Sequence, residues 1–235
     1  MHGNLHSPER LNDAAAAPDM ALWFATPAAR EYFDASSLTA ADRARFLTHR
    51  NSRRQQEFQV SRALKSSVLT RSNAHSLSHS GGHAALFSAS STLRVGVDLE
   101  VSRPRDIMRI ARFAFHEREV AALYAQSAGE QQALFYTLWT LKESLAKALR
   151  LSLVDALRQC VFTRTAAGWA GSAPTRMPWS AQVLQPRAGF FLAAACVGAE
   201  VPPTLQTWEW PPRQAATWPV IACAAAPAGA AVLPA

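Results

Sequence analysis

The segment EQQALFYTLWTLKESLAKALR, Glu130 to Arg150, contains neither Gly nor Pro. At 100° per residue, its Leu134, Phe135, Leu138, Leu141, Leu145 and Leu149 fall into one apolar stripe. A helix of this length with a single stripe has to lay it on another element. Strand-like runs stand on both sides. LRVGVDLE (93–100) precedes the helix, and RQCVFTRT, GWAGS, WSAQVLQ and GFFLAAACV follow it as short antiparallel strands. The order points to an α+β chain with sheet under helix.

Upstream, SLTAADRARFLTHRNSRRQQEFQVSRALKSSVL is helical in character, with Ser37 or Thr39 as its N-cap. In SLSHSGGHAALFSASSTLRVGVDLE the period shifts toward two, and a Ser-Ser-Thr turn between two runs predicts a hairpin. The stretch from Pro104 to about Gln126 is helical again. The expected division is a loose leader at 1–19, an N-terminal half at 20–93, a C-terminal half at 94–200, and a Pro- and Ala-rich tail at 201–235 that packs poorly. A helix-then-hairpin order occurring twice permits two similar halves.

Of 235 residues, 49% are hydrophobic and 17% charged, which is globular composition. The net charge of +7 predicts an anionic partner without choosing one. The three cysteines are widely spaced, with no disulfide framework or zinc spacing, and suit a reducing, cytoplasmic setting. The start has no basic-then-apolar signal pattern, and no apolar run approaches the ~20 residues of a membrane span.

Four places can carry chemistry. In LRVGVDLE, Leu93, Val95, Val97 and Leu99 alternate with Arg94, Gly96, Asp98 and Glu100. Asp98 and Glu100 therefore share a strand face about 7 Å apart at Cα, where two carboxylates repel unless a cation such as Mg²⁺ joins them. Alone, the pattern reads first as a strand with a solvated polar face. On the helix, Glu143 and Lys147 lie one turn apart, away from the stripe. As a surface pair they are worth about 0.3–0.5 kcal/mol. Yet only three of the 24 Lys plus Arg residues are Lys (Lys65, Lys142 and Lys147), and a compact ammonium suits a phosphate point contact. In SLSHSGGH, Ser78 and His79 make either a turn or a phosphate contact. Arg50, Arg53, Arg54 and Arg62 form a basic helix, either solvated or phosphate-binding.

Taken in order, SLSHSGG, VGVDLE and FYTLWTLKESLAKAL resemble the 4′-phosphopantetheinyl transferases of the surfactin-synthetase (Sfp) type, and the similarity extends over roughly residues 50–200. The resemblance implies two pseudo-symmetric α/β halves with the site in the cleft between them. It implies transfer of the phosphopantetheine arm of coenzyme A to a serine of an apo acyl, peptidyl or aryl carrier protein, with release of adenosine 3′,5′-bisphosphate. By position, Asp98, Glu100 and Glu143 would hold Mg²⁺. Glu143, directly or through a water, would take the serine proton, and Lys147 would contact the diphosphate. Ser78 and His79 would touch coenzyme A phosphates, with His79 nearest the 3′-phosphate and one or more of Arg50, Arg53, Arg54 and Arg62 gripping the same phosphate. Trp139 and Lys142 would fix the helix. The family's longer loop with Gly-Lys-Pro is absent. Only Thr70–Ser76 stands there, with Arg71 or Lys65 as substitute cations. The expected protein is a monomer without nucleic acid or membrane partners. The rival readings are a metal-dependent nuclease, whose Glu-x-Lys would sit on a strand, and a basic nucleic-acid binder, which leaves the carboxylates unexplained.

Overall fold

A computed structural model describes residues 20–48, 51–69, 74–89, 92–166, 168–198 and 205–226. Strand β1 (Met20–Ala25) leads through two short 3₁₀ turns into helices α1 (Ala40–Thr48) and α2 (Ser52–Val68). Strands β2 (Ala74–Ser80), β3 (His83–Ala89) and β4 (Arg94–Val101) follow, then helices α3 (Ile107–Ala114), α4 (Glu117–Tyr124), α5 (Ala128–Leu149) and α6 (Leu153–Gln159). The chain continues through β5 (Val161–Thr165), β6 (Gly168–Ser172), β7 (Trp179–Leu184), β8 (Phe190–Val197), β9 (Gln206–Trp210), β10 (Gln214–Ala216) and β11 (Val220–Ala225).

Two sheets carry the architecture, in the orders β10-β9-β1-β3-β2 and β11-β7-β8-β4. A two-stranded β5-β6 ribbon stands beside them. Strand alternation sorts side chains into layers. Leu22, Phe24 and Phe87 of the first sheet pack against Val95, Val97, Leu99 and Leu192 of the second. Trp23, Ala25 and Leu86 face the opposite way, onto Val60, Ala63 and Leu64 of α2. The stripe of α5, through Leu138, Leu141 and Leu145, covers the far face of the second sheet at Val183, Ala193 and Ala195. The result is a helix–sheet–sheet–helix stack, a mixed α+β fold.

The local signals explain the element ends. The Thr39 hydroxyl accepts from Asp42 N at 3.1 Å and starts α1. The Asn51 side chain caps α2. A Ser127/Glu130 capping box opens α5, and Arg150 closes it in the left-handed conformation.

The hairpin differs from expectation. It is made by β2 and β3 across Gly81–Gly82, both with positive φ (62° and 80°), as a two-residue hairpin turn requires. Strand β4 instead joins the second sheet, antiparallel to β8. Val95, Val97 and Leu99 make that placement favourable, because they bury against the first sheet face to face.

The expectation of a poorly packed tail is also corrected. Strand β9 runs parallel to β1, with Trp23 opposite Trp208, and β11 pairs with β7. The indoles of Trp23 and Trp208 stack at 5.4 Å, and Trp210 and Trp218 are buried. Aromatic burial outweighs the Pro- and Ala-rich composition. Both sheets are completed by residues beyond 200. The 1–19 leader lies outside the described residues.

Candidate active site

Gly96 sets the geometry. A Cβ built there would sit 1.8 Å from Ser144 O and 2.7 Å from Ala148 N, both backbone atoms of α5. The absent side chain lets the helix lie directly on β4. We expect Gly96→Ala to cost at least the roughly 1–3 kcal/mol of an overpacked core, since backbone cannot swing aside. A melting temperature equal to wild type would show that the helix has room to move.

That close approach brings the end of α5 onto the strand face carrying Asp98. The Lys147 ammonium donates to Asp98 Oδ1 at 2.9 Å, to Val97 O at 2.8 Å and to Ser78 Oγ at 3.3 Å. Glu143 Oε2 lies 3.9 Å from the same ammonium. Ser78 Oγ donates to Asp98 Oδ1 at 2.9 Å. Asp98 is only 3% exposed, so the solvated-face reading of VGVDLE does not hold.

Serine hydroxyls join the two sheets at this edge. Ser76 and Ser80 of β2 accept from Val97 N and Val101 N of β4, at 3.0 and 3.3 Å. Ser80 also donates to Glu100 Oε2 at 3.2 Å. Glu100 thus turns toward Ser80, while Asp98 and Glu143 share Lys147. Among the described residues, no three His, Cys, Asp or Glu side chains are grouped as a metal cage.

Charge crowding and burial perturb both neighbouring carboxyls. Burial, then the charge of Asp98, pushes Glu143 up to about 8 against the opposing pull of Lys147. Burial, then Asp98, raises Glu100, opposed by the Ser80 hydroxyl, Arg105 and Arg103. A carboxyl that keeps its proton to about pH 8 when folded, against 4.5 ordinarily, contributes stability fully below 4.5 and loses it as pH rises through 8. Wild type should therefore lose stability relative to Glu143→Gln between pH 6 and pH 8.5. Urea titrations at both values check this, and a constant difference would mean that Glu143 does not titrate in this window.

Some site residues were not singled out in the sequence. Arg103 and Arg105 are held beside the carboxylates by Tyr136, whose hydroxyl accepts from Arg103 N at 3.0 Å and whose ring lies 5.1 Å from the Arg105 guanidinium. Ser80 was legible as the third serine of the i, i+2 series 76, 78, 80. Glu57 of α2 carried no signal, since its role depends on a distant turn.

His79, Arg54 and Arg62 lie on the α2 side of β2. His79 faces α2, with its side chain 42% exposed and Nδ1 at 3.6 Å from Glu57 Oε2. Arg54 is exposed in the first turn of α2. Arg62 pairs with Asp42 at 2.7 Å and lies over the Phe58 ring, so it braces α1 on α2. Arg50 and Arg71 lie outside the described residues. Lys142 is fully buried. It donates to Glu119 Oε2 at 2.7 Å, to Leu157 O at 2.8 Å and to Cys160 O, which fixes α5 against its neighbours. No described helix is long and apolar enough to cross a membrane.

Residues 94–187 match the family model of the 4′-phosphopantetheinyl transferase superfamily. A 4′-phosphopantetheinyl transferase AcpT from Salmonella typhimurium is 43% identical over 72 residues, covering 30% of this chain and 37% of the relative. A putative 4′-phosphopantetheinyl transferase, slr0495, from Synechocystis is 31% identical over 86 residues, covering 36% and 35%. The matched stretch thus spans little more than a third of these curated relatives. Residues 94–187 contain β4 and α5, the two elements that bring Asp98, Glu143 and Lys147 together. Over residues 94–187 the chain is similar to the 4′-phosphopantetheinyl transferase superfamily.

Proposed function

We propose that the protein transfers the 4′-phosphopantetheine arm of coenzyme A to a serine hydroxyl of an apo acyl or peptidyl carrier protein, with Mg²⁺, releasing adenosine 3′,5′-bisphosphate. The observation that carries this reading is the meeting of Asp98, Glu143 and Lys147 at the edge where the two sheets join. Asp98 Oδ2 is buried with no hydrogen-bond partner. An uncompensated carboxylate oxygen beside a second carboxylate suits a hard cation, which takes one or two carboxylates and completes its shell with water and phosphate oxygens. Asp98 and Glu143 would hold it, with Glu100 one strand position pair away. A bound divalent ion would neutralise the diphosphate of coenzyme A.

The chain's own groups then divide the work. With a divalent ion bound, Glu143 would be deprotonated and, directly or through a water it positions, would accept the proton of the carrier serine. The serine oxygen attacks the phosphorus that bears the pantetheine arm. The bridging P–O bond breaks, and its electrons leave on adenosine 3′,5′-bisphosphate. Lys147 shifts from Asp98 to the leaving phosphate, where charge accumulates. Ser78 steadies Asp98 and Lys147 together. His79 and Arg54, on the α2 side of β2, meet the adenosine-end phosphates. Arg103 and Arg105 add positive charge at the opposite lip.

The test is to mix the protein with coenzyme A, Mg²⁺ and a panel of apo-carriers, and to follow each carrier by intact mass. One or more carriers should gain the arm, and only when the metal is present. No gain on any carrier, or gain undiminished after chelation, would remove the proposal or its metal.

A further inference from the structure

We propose that Glu57 is a positioning residue for His79, the residue that the resemblance puts at the 3′-phosphate, on the face of β2 turned toward α2. The inference rests on the transferase reading and adds to it a residue that the sequence motifs do not contain.

Glu57 is 8% exposed, a depth at which a carboxylate needs compensating partners. Its Oε1 accepts from Gly82 N at 3.2 Å and from Arg53 Nε at 3.4 Å. Its Oε2 faces His79 Nδ1 at 3.6 Å, an ion-pair separation longer than a hydrogen bond. Three elements converge on one carboxylate: the first turn of α2 through Arg53, the Gly81–Gly82 turn through Gly82, and β2 through His79. The Gly82 contact anchors the hairpin, and the His79 contact aims the ring within it.

With Nδ1 turned to Glu57, an incoming phosphate is met by the other ring nitrogen. Because Ser78 and Ser80 face the opposite side of the same strand, the pair stands across β2 from Asp98 and Glu100. A ligand with phosphates at two separated positions can therefore span the strand.

The test uses calorimetric binding of adenosine 3′,5′-bisphosphate and 5′-AMP to the full chain. Wild type should prefer the bisphosphate. Glu57→Gln, which keeps an oxygen for Gly82 N, should weaken bisphosphate binding on the order of tenfold and leave 5′-AMP binding in place. His79→Gln should do the same, and the double variant should lose no more than His79→Gln alone. Ring nitrogen NMR should show the His79 Nδ1 signal move in Glu57→Gln. In turnover, Glu57→Gln should raise KM for coenzyme A by a larger factor than it lowers kcat. No bisphosphate preference in wild type, an unchanged preference in Glu57→Gln, or equal losses for both ligands would each overturn the inference and leave Glu57 as a turn brace. Arm transfer by wild type is scored separately. Selective binding without transfer would sink the transferase reading alone, and transfer without selective binding would sink this inference alone.

Discussion

Lys142→Met should cost about 3–5 kcal/mol of stability, the penalty for leaving one member of a buried ion pair uncompensated. The Lys142 and Glu119 side chains are both 0% exposed. Glu119 already accepts from His116 N at 3.1 Å and from Phe162 N at 2.8 Å, so it holds the start of α4 and of β5. Without the ammonium, its charge stays buried against those two donors alone. Against the 5–15 kcal/mol of an ordinary domain, this is a large fraction. Pairing the change with Glu119→Gln removes the stranded charge and keeps one of the two acceptor oxygens, so the double variant should recover part of the loss. Urea unfolding of wild type, both single variants and the double variant checks this. Additive losses would show that the two groups do not stabilise each other. Lys142 adjoins Glu143 in the chain, so the pair also sets the rotation of α5 that aims Glu143 and Lys147.

Asp98→Asn should lower arm transfer by about 10²–10³-fold at saturating coenzyme A and Mg²⁺, the usual loss when one charge-stabilising group leaves a reacting centre. The amide has the carboxylate's shape, so its oxygen still accepts from Ser78 and Lys147. The missing charge is what matters. The Lys147 ammonium, now 2.9 Å from a carboxylate oxygen, would have only Glu143, at 3.9 Å, as a charged partner. The cation proposed for the site would lose its most buried ligand. Fold and melting temperature should survive, which separates this variant from Lys142→Met. Transfer near the wild-type rate would remove Asp98 from the proposed metal site.

Several features were legible because they depend only on neighbours in the chain. Alternation in 93–100 marked Val95, Val97 and Leu99 as a core face, and they pack against Leu22, Phe24 and Phe87. The stripe of 130–150 marked the covering helix, which the structure begins two residues earlier, at Ala128. The three-motif order identified the superfamily that residues 94–187 match. The hairpin was misplaced because two turn signals, Gly-Gly and Ser-Ser-Thr, compete within a dozen residues. The choice went to the sheet able to bury the β4 face.

What the sequence determined by itself was therefore periodic and local: which stretches are helix or strand, which faces are apolar, and which motif residues belong together. Only the tertiary structure decided what lies across from each face. Asp98 reads as a solvated carboxylate until α5 settles on Gly96 and buries it. The tail reads as loose until Trp208 finds Trp23, 185 positions earlier in the chain. Glu57 reads as one more surface charge until the Gly82 amide and His79 arrive beside it. In each case the deciding energy, whether burial, stacking or charge pairing, comes from groups brought together only by the close packing of distant segments, and no periodicity within one segment records it.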